Sequence, residues 1–301
     1  MLSRKDIRLK QTEVLLEKGF IPVSVDYRLC PETTLEEGPM RDVRTALHWV
    51  RATLPQLPLK RADISITGES VVAVGWSTGG HLAMSLGWTA PKYGIQPPEA
   101  ILAFYCPTDY EDPFWTRPNL PFGPELVPEQ SGYDLWEAVQ DRPITGYNPP
   151  PAARALGGWM VPSDPRSRIA LHMNWKAKTL PILLHGLQRS HGGPEESSFP
   201  TLPGPSLSQI RAVSPLAQIS KGTYSTPTFI VHGTQDDLIP WEQAERTYRK
   251  LKEHGIEAEI RLVKDAVHLF DIYRGYERNI EAAQAVQDGY RFLQEHMTNY
   301  D

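Results

Sequence analysis

Short apolar runs rich in β-branched residues alternate with longer amphipathic stretches along most of the chain. Runs of this length and composition predict buried strands of a parallel sheet, and they cover residues 20–26, 71–74, 100–105 and 228–231. Residues 257–263 are also predicted to form a strand. Helical periodicity predicts helices over residues 3–18, 36–52, 81–88, 242–254 and 279–296. Strands alternating with helices at these lengths predict an α/β fold with a doubly wound, mostly parallel sheet.

The alternation stops between residues 110 and 225. This stretch is rich in proline and has helical periodicity only around residues 166–178. A structureless connection of that length is improbable in a compact domain, and apolar side chains such as Trp159 and Trp175 supply surface that a disordered linker lacks. We therefore predict a core made of residues 1–109 and 226–301, with residues 110–225 inserted as a cap.

Composition and charge exclude several classes of partner. A net charge of −5 with scattered basic residues argues against nucleic acid. A mean hydropathy of −0.39, with no apolar run near about 18 residues, argues against a membrane span. Cys30 and Cys106 lie far apart, and no histidine cluster has zinc-ligand spacing, so no metal or other cofactor is expected. Neither end carries a targeting signal, and the expected location is cytoplasmic.

Residues 75–79, Gly-Trp-Ser-Thr-Gly, fit the pattern Gly-x-Ser-x-Gly between a predicted strand and a predicted helix. In this setting a tight, strained turn lifts the serine Oγ above the sheet, and the flanking glycines leave room for the turn. The helix directs its N-terminus at the site, where the N–H of Thr78 is placed to stabilise an oxyanion. Ser77 is the candidate nucleophile.

A serine hydroxyl attacks well only when a base takes its proton, and the base needs an orienting carboxylate. His268 follows the predicted strand 257–263, and Asp236 follows the strand 228–231, which gives the order Ser, Asp, His expected for this site. Asp237 is the rival acid, and capping of a turn is the alternative role for either carboxylate. The pattern Gly-x-x-Asp-x-x-Ile-Pro favours Asp236.

The remaining candidate residues have weaker signals. Trp76 and Gly79 beside the nucleophile, with Trp159 and Trp175 of the predicted cap, are expected to contact an apolar substrate. Among the other histidines, His81 is expected to pack or cap, whereas the three in the predicted cap could at most line the pocket; these are His172, His185 and His191. The string His191-Gly192-Gly193 looks like an oxyanion loop, but it follows the nucleophile and lies in the cap.

Several strings carry a resemblance to a known family. Residues 26–32 (Asp-Tyr-Arg-Leu-Cys-Pro-Glu), residues 75–81 and the segments around Asp236 and His268 resemble the hormone-sensitive-lipase-like branch of the α/β-hydrolases. Residues 36–43 and 104–112 are similar to fungal secondary-metabolism hydrolases, including the C-terminal release domains of methylating polyketide synthases. The resemblance implies hydrolysis of an ester or thioester of a hydrophobic acyl group, with a polyketide synthase as the candidate partner.

The chain departs from that family in one respect. The branch carries a His-Gly-Gly-Gly loop and three strands upstream of a segment resembling residues 3–6, and no such loop precedes Ser77 here. Loss of one oxyanion donor costs on the order of 10²- to 10³-fold in turnover. We therefore expect a fragment or a truncated chain whose sheet lacks the N-terminal strands. Two alternatives stay open: an acyltransferase using the same three residues, and a ligand-binding protein with weak or no catalysis.

Overall fold

A computed structural model describes residues 8–58, 60, 65–119, 139–145, 165–187, 202–272 and 275–297. The α-helices are α1 (Leu9–Glu17), α2 (Arg41–Ala52), α3 (Thr78–Lys92), α4 (Pro165–Trp175), α5 (Thr179–His185), α6 (Leu207–Val213), α7 (Pro215–Ser220), α8 (Trp241–Glu253) and α9 (Ile280–Glu295). The strands are β1 (Ala73–Trp76), β2 (Ile101–Phe104), β3 (Thr228–Gly233) and β4 (Ala258–Val263). Short 3₁₀ or π segments cover Glu36–Met40, Leu54–Gln56, Pro113–Thr116, Phe270–Ile272 and Tyr276–Arg278.

The four strands form one parallel sheet in the order β1-β2-β3-β4. Ile101 of β2 lies between Ala73 of β1 and Thr228 of β3, and Thr228 pairs in turn with Ala258 of β4. Every residue of β2 and β3 is buried, as expected for strands covered on both faces. The predicted α/β class with a parallel sheet is confirmed, and the carboxyl ends of all four strands meet at one edge.

Helices pack on both faces of the sheet. On one face Leu102 of β2 contacts α9 so closely that a Cβ on Gly289 would lie 2.6 Å from the Leu102 side chain. Successive strand residues point to opposite faces, and Ala73, which is out of phase with Leu102 in the register, packs instead with Leu47 of α2 and Leu86 of α3. This two-sided cover is the doubly wound arrangement expected from the alternating pattern.

Contacts group the chain into two units, Met1–Pro39 with Tyr110–Val213 and Met40–Asp109 with Ser214–Asp301. The second unit contains the whole sheet. In the first, a buried pair joins distant segments, because Arg166 Nη1 lies 2.6 Å from Glu32 Oε1 and Arg166 Nη2 donates to the Cys30 carbonyl. Residues near the start of the chain therefore group with most of the predicted insertion. The role of residues 110–225 as a cap remains a prediction.

Residues 20–26 do not form the strand that their composition predicts. Residues 21–25 are all exposed, with Ile21 at 48%, Val23 at 41% and Val25 at 38%. A strand needs a neighbour to pair with its backbone N–H and C=O groups, and no described segment pairs with this one in a sheet. The prediction of a strand here is wrong, since an apolar pattern does not by itself supply a partner.

Candidate active site

Ser77 lies in a strained turn between β1 and α3. Its backbone has φ 54° and ψ −126°, a conformation that residues with a Cβ adopt rarely. A Cβ on Gly75 would lie 2.0 Å from the carbonyl oxygen of Gly79, so the turn requires glycine there. On the helix side the close approach is at Gly80, 2.7 Å from the Cβ of Cys106, whereas a Cβ on Gly79 meets no described atom within 4 Å. The steric reason expected for both motif glycines therefore holds for Gly75 but not for Gly79.

Three side chains from the ends of three strands form a hydrogen-bonded chain. His268 Nε2 lies 3.0 Å from Ser77 Oγ, and His268 Nδ1 lies 2.7 Å from Asp236 Oδ2. The imidazole and the carboxylate are almost completely buried, with side chains 1% and 0% exposed. The structure thus brings together the nucleophile, base and acid that the sequence singled out, in the arrangement needed to move a proton from serine to histidine.

The two oxygens of Asp236 have separate partners. Oδ1 accepts hydrogen bonds from the backbone N–H groups of Leu238 and Ile239, both at 2.9 Å. Oδ2 faces His268. Turn capping and orientation of the histidine, which the sequence presented as alternatives, are therefore both made by this one carboxylate. Asp237, the rival acid, is exposed.

His232 is a member of the site that the sequence analysis missed. Its Nε2 lies 3.1 Å from Asp236 Oδ2 and 3.0 Å from the carbonyl oxygen of Ile239. A carbonyl oxygen only accepts, so the proton lies on Nε2 and is shared between the two oxygens. The side chain is fully buried at the end of β3. The only sequence signal was its position in that strand, which equally suits a packing residue.

The acid sensitivity of folding should depend on the N–H of His232. Burial raises the pKa of the Asp236 carboxyl, but hydrogen bonds from His232 and His268 outweigh it and hold the pKa below its ordinary value of 3.8. A depressed pKa stabilises the fold above that value, and the stabilisation is lost as the pH falls toward the folded pKa. Between about pH 5 and about pH 2, the free energy of unfolding should fall less in His232→Leu than in His232→Gln, whose amide keeps a donor near Nε2.

Urea unfolding at a series of pH values measures this difference. The two variants replace the same buried residue. A general loss of stability from replacing His232 therefore lowers the free energy of unfolding at every pH, whereas the N–H of residue 232 changes how steeply that free energy depends on pH. An identical pH dependence in the two variants would show that the N–H of His232 does not act on Asp236.

The N-terminus of α3 lies directly behind Ser77, the candidate nucleophile. Gly80 and His81 donate their N–H groups to the Ser77 carbonyl at 2.9 and 3.3 Å. The N–H groups of Thr78 and Gly79 belong to the first turn, where a helix offers no internal acceptor. Together with the positive end of the helix dipole, they favour negative charge at this point. His81 itself is buried, and its ring meets the Trp88 ring in an edge-to-face arrangement with centroids 6.4 Å apart.

Trp76 takes part in the packing of the site. Its ring stacks on Phe104 with centroids 5.4 Å apart, and its indole N–H donates to Asp271 Oδ2 at 3.0 Å. The sequence predicted only a contact with substrate for this residue. That contact stays a prediction, and the tie to Asp271 is a second role that the sequence did not indicate.

The candidates in the predicted cap lie in the other unit or outside the described residues. Trp159 and His191 lie outside them. Trp175 is half-buried near the end of α4, with the Lys176 ammonium 4.2 Å from its ring centroid. On the same helix, burial and the charges of two nearby lysines lower the pKa of His172 to about 4. Their contact with a substrate remains a prediction.

Two further searches cover only the described part of the chain. Within it, no group of three or more histidine, cysteine, aspartate or glutamate side chains is arranged to hold a metal ion. No helix in the described ranges is both long enough and apolar enough to cross a membrane.

Two family models match separate parts of the chain. Residues 3–111 match a family described as BD-FAE, and residues 196–299 match the Prolyl oligopeptidase family. The first match includes Ser77, and the second includes Asp236 and His268. Each of the three hydrogen-bonded residues therefore lies in a segment that matches a family model.

Solved structures establish the class of the fold. An α/β hydrolase superfamily protein from Enterococcus faecalis superposes with a TM-score of 0.63 at 17% identity, covering 97% of this chain and 85% of that one. Carboxyl esterase 2 from Tuber melanosporum superposes with a TM-score of 0.55 at 18% identity, covering 98% and 74%. The chain has an α/β-hydrolase fold, and the prediction of that fold is confirmed.

Curated relatives of high identity are much longer proteins. The chain is 61% identical over 297 residues to non-reducing polyketide synthase adrD of Penicillium rubens, and 54% identical over 301 residues to non-reducing polyketide synthase ausA of Emericella nidulans. Each match covers 99% of this chain and 12% of the relative. The resemblance to fungal polyketide synthases is confirmed, and the chain spans about one eighth of the length of these relatives.

Proposed function

We propose that this chain is a serine hydrolase that cleaves an ester or thioester of a hydrophobic acyl group. The observation that carries the proposal is the hydrogen-bonded chain from Ser77 Oγ through His268 to Asp236, with 3.0 and 2.7 Å between successive heavy atoms. Both distances lie within the range over which a positioned base takes a proton from a nucleophile.

In the first half of the reaction Ser77 Oγ attacks the substrate carbonyl while its proton passes to His268 Nε2. The negative charge that develops on the carbonyl oxygen is stabilised by the N–H of Thr78 at the start of α3. When the tetrahedral intermediate collapses, the carbon–sulfur or carbon–oxygen bond of the leaving group breaks. His268 returns the proton to the departing thiol or alcohol, which leaves an acyl ester on Ser77.

In the second half a water molecule attacks this ester, and His268 takes a proton from the water. The bond to Ser77 Oγ then breaks, the proton returns to Ser77, and the carboxylic acid is released. Asp236 holds the imidazole in the tautomer that has Nε2 free to accept a proton, and stabilises the imidazolium that forms in each half.

The proposed substrate comes from the relatives. They are named as polyketide synthases, and a finished acyl chain leaves its carrier only when the bond that holds it is cleaved. We place Trp76 and Gly79 of the nucleophile turn, with Trp159 and Trp175, in contact with the acyl group. Among the described residues, no side chain lies within 4 Å of a Cβ built on Gly79, which is consistent with this placement. The synthase itself is the proposed partner that supplies the acyl group.

The function is tested by incubating the purified chain with an aromatic acyl thioester and with the matching p-nitrophenyl ester. We expect the thiol from the thioester, or the p-nitrophenol from the ester, to appear in equal amount with the free acid, and a fluorophosphonate to block both reactions by labelling Ser77. Product transferred to an added alcohol in preference to water would indicate an acyltransferase. Substrate binding with no labelling by the fluorophosphonate would reject the hydrolase and leave a ligand-binding protein.

A further inference from the structure

We propose that Asp271 is a positioning residue that fixes His268 against the nucleophile turn. This inference rests on the proposed function for its effect on turnover. Asp271 lies three residues after His268, and its side chain is buried, with the residue 3% exposed. Its carboxylate accepts hydrogen bonds from Trp76 and Tyr105, so its effect on the reaction runs through these two neighbours.

The carboxylate of Asp271 joins three segments of the site. Oδ2 accepts the indole N–H of Trp76, the residue directly before Ser77. Oδ1 accepts the phenol O–H of Tyr105, the residue directly after β2. The Tyr105 ring in turn lies edge-on to the imidazole of His268, with centroids 4.9 Å apart. Hydrogen bonds to an ionised acceptor in a buried site are among the strongest that side chains make.

The backbone at these junctions is strained. Tyr105 has φ 35°, and Leu269, directly after His268, has φ 61°. Both values lie in a region that residues with a Cβ adopt rarely, and such conformations persist only where surrounding contacts hold them. Asp271 supplies one such contact to Tyr105 and lies in the 3₁₀ segment Phe270–Ile272, which directly follows Leu269. Without it, we expect the His268 segment and the Ser77 turn to lose their fixed spacing.

The hydroxyl of Tyr105 provides the test, because Tyr105→Phe keeps the ring against His268 and removes the hydrogen bond to Asp271. The matched control is Tyr224→Phe, which removes another buried phenol hydrogen bond in the same unit, to Thr228. We expect kcat to fall about fivefold to tenfold in Tyr105→Phe with KM nearly unchanged, and to stay unchanged in Tyr224→Phe.

Asp271→Ala removes both bonds, and a displacement of reacting groups by about 1 Å lowers turnover on the order of 10²-fold. Asp271→Asn keeps one acceptor oxygen and should recover part of that loss. Because the Tyr105 hydroxyl and the Asp271 carboxylate share one hydrogen bond, adding Tyr105→Phe to Asp271→Ala should cost little more. If Asp271→Ala does not fold, Tyr105→Phe alone still decides the proposal.

A second readout does not need turnover. The proton that His268 Nδ1 donates to Asp236 gives a proton resonance far downfield, and we expect it to shift or broaden in Tyr105→Phe and not in Tyr224→Phe. If both kcat and this resonance are unchanged in Tyr105→Phe, the positioning role is rejected. If the unaltered chain is not labelled by a fluorophosphonate, the proposed function fails, while the resonance still decides whether Asp271 positions His268.

Discussion

Replacing Ser77 by alanine should lower kcat on the order of 10⁴-fold or more and abolish labelling by a fluorophosphonate. The Oγ atom is the group that His268 Nε2 contacts at 3.0 Å, and alanine has no atom to attack the carbonyl. The fold should be unaffected, because alanine carries the same Cβ in the strained turn that serine does. Steady-state kinetics, labelling and thermal unfolding measured on one preparation separate these effects.

A matched control for Ser77→Ala lies in the helix that follows Ser77. Ser85 is fully buried in α3 and donates its hydroxyl to the carbonyl of Leu82 at 2.7 Å. Ser85→Ala should therefore lower the unfolding temperature slightly and leave turnover and labelling intact. Persistent labelling in Ser77→Ala would show that another nucleophile reacts, and the proposed mechanism would be wrong.

The sheet could be predicted well because its strands are covered on both faces. Apolar runs predicted β1 to β3, and the boundaries of all four predicted strands β1 to β4 differ from the structure by two residues or fewer. The run at residues 20–26 has the same composition but no sheet partner in the described chain. Local composition reports what a segment can bury, whereas pairing depends on a neighbour that is distant in the sequence.

The division of the chain into two units was harder to predict, because it also depends on contacts between residues that are distant in the sequence. The sequence places Glu32 in the core and Arg166 in the insertion, yet the two form a buried pair within one unit. Nothing in the periodicity of either segment indicates that pair. A change in composition marks where a pattern stops, but the contacts that define a unit join residues more than a hundred positions apart.

At the site, chain order indicated three residues and left their neighbours unidentified. Ser77, Asp236 and His268 could be selected because each follows a predicted strand, and parallel strands bring their carboxyl ends together. The structure places these three side chains in contact; their catalytic roles remain a proposal. Asp271 and His232 carry no comparable pattern, since their importance lies in which atoms they meet.

Asp236→Asn should lower kcat on the order of 10⁴-fold, whereas Asp237→Asn should change it less than about threefold. In Asp236→Asn the backbone N–H groups of Leu238 and Ile239 hold the new amide oxygen where Oδ1 was, so the NH₂ group must face His268. Two donors then meet, and the imidazole turns to the tautomer that already carries a proton on Nε2. Kinetics of the two variants, with thermal unfolding to verify folding, decide between the carboxylates, and a larger loss in Asp237→Asn would assign the acid to Asp237.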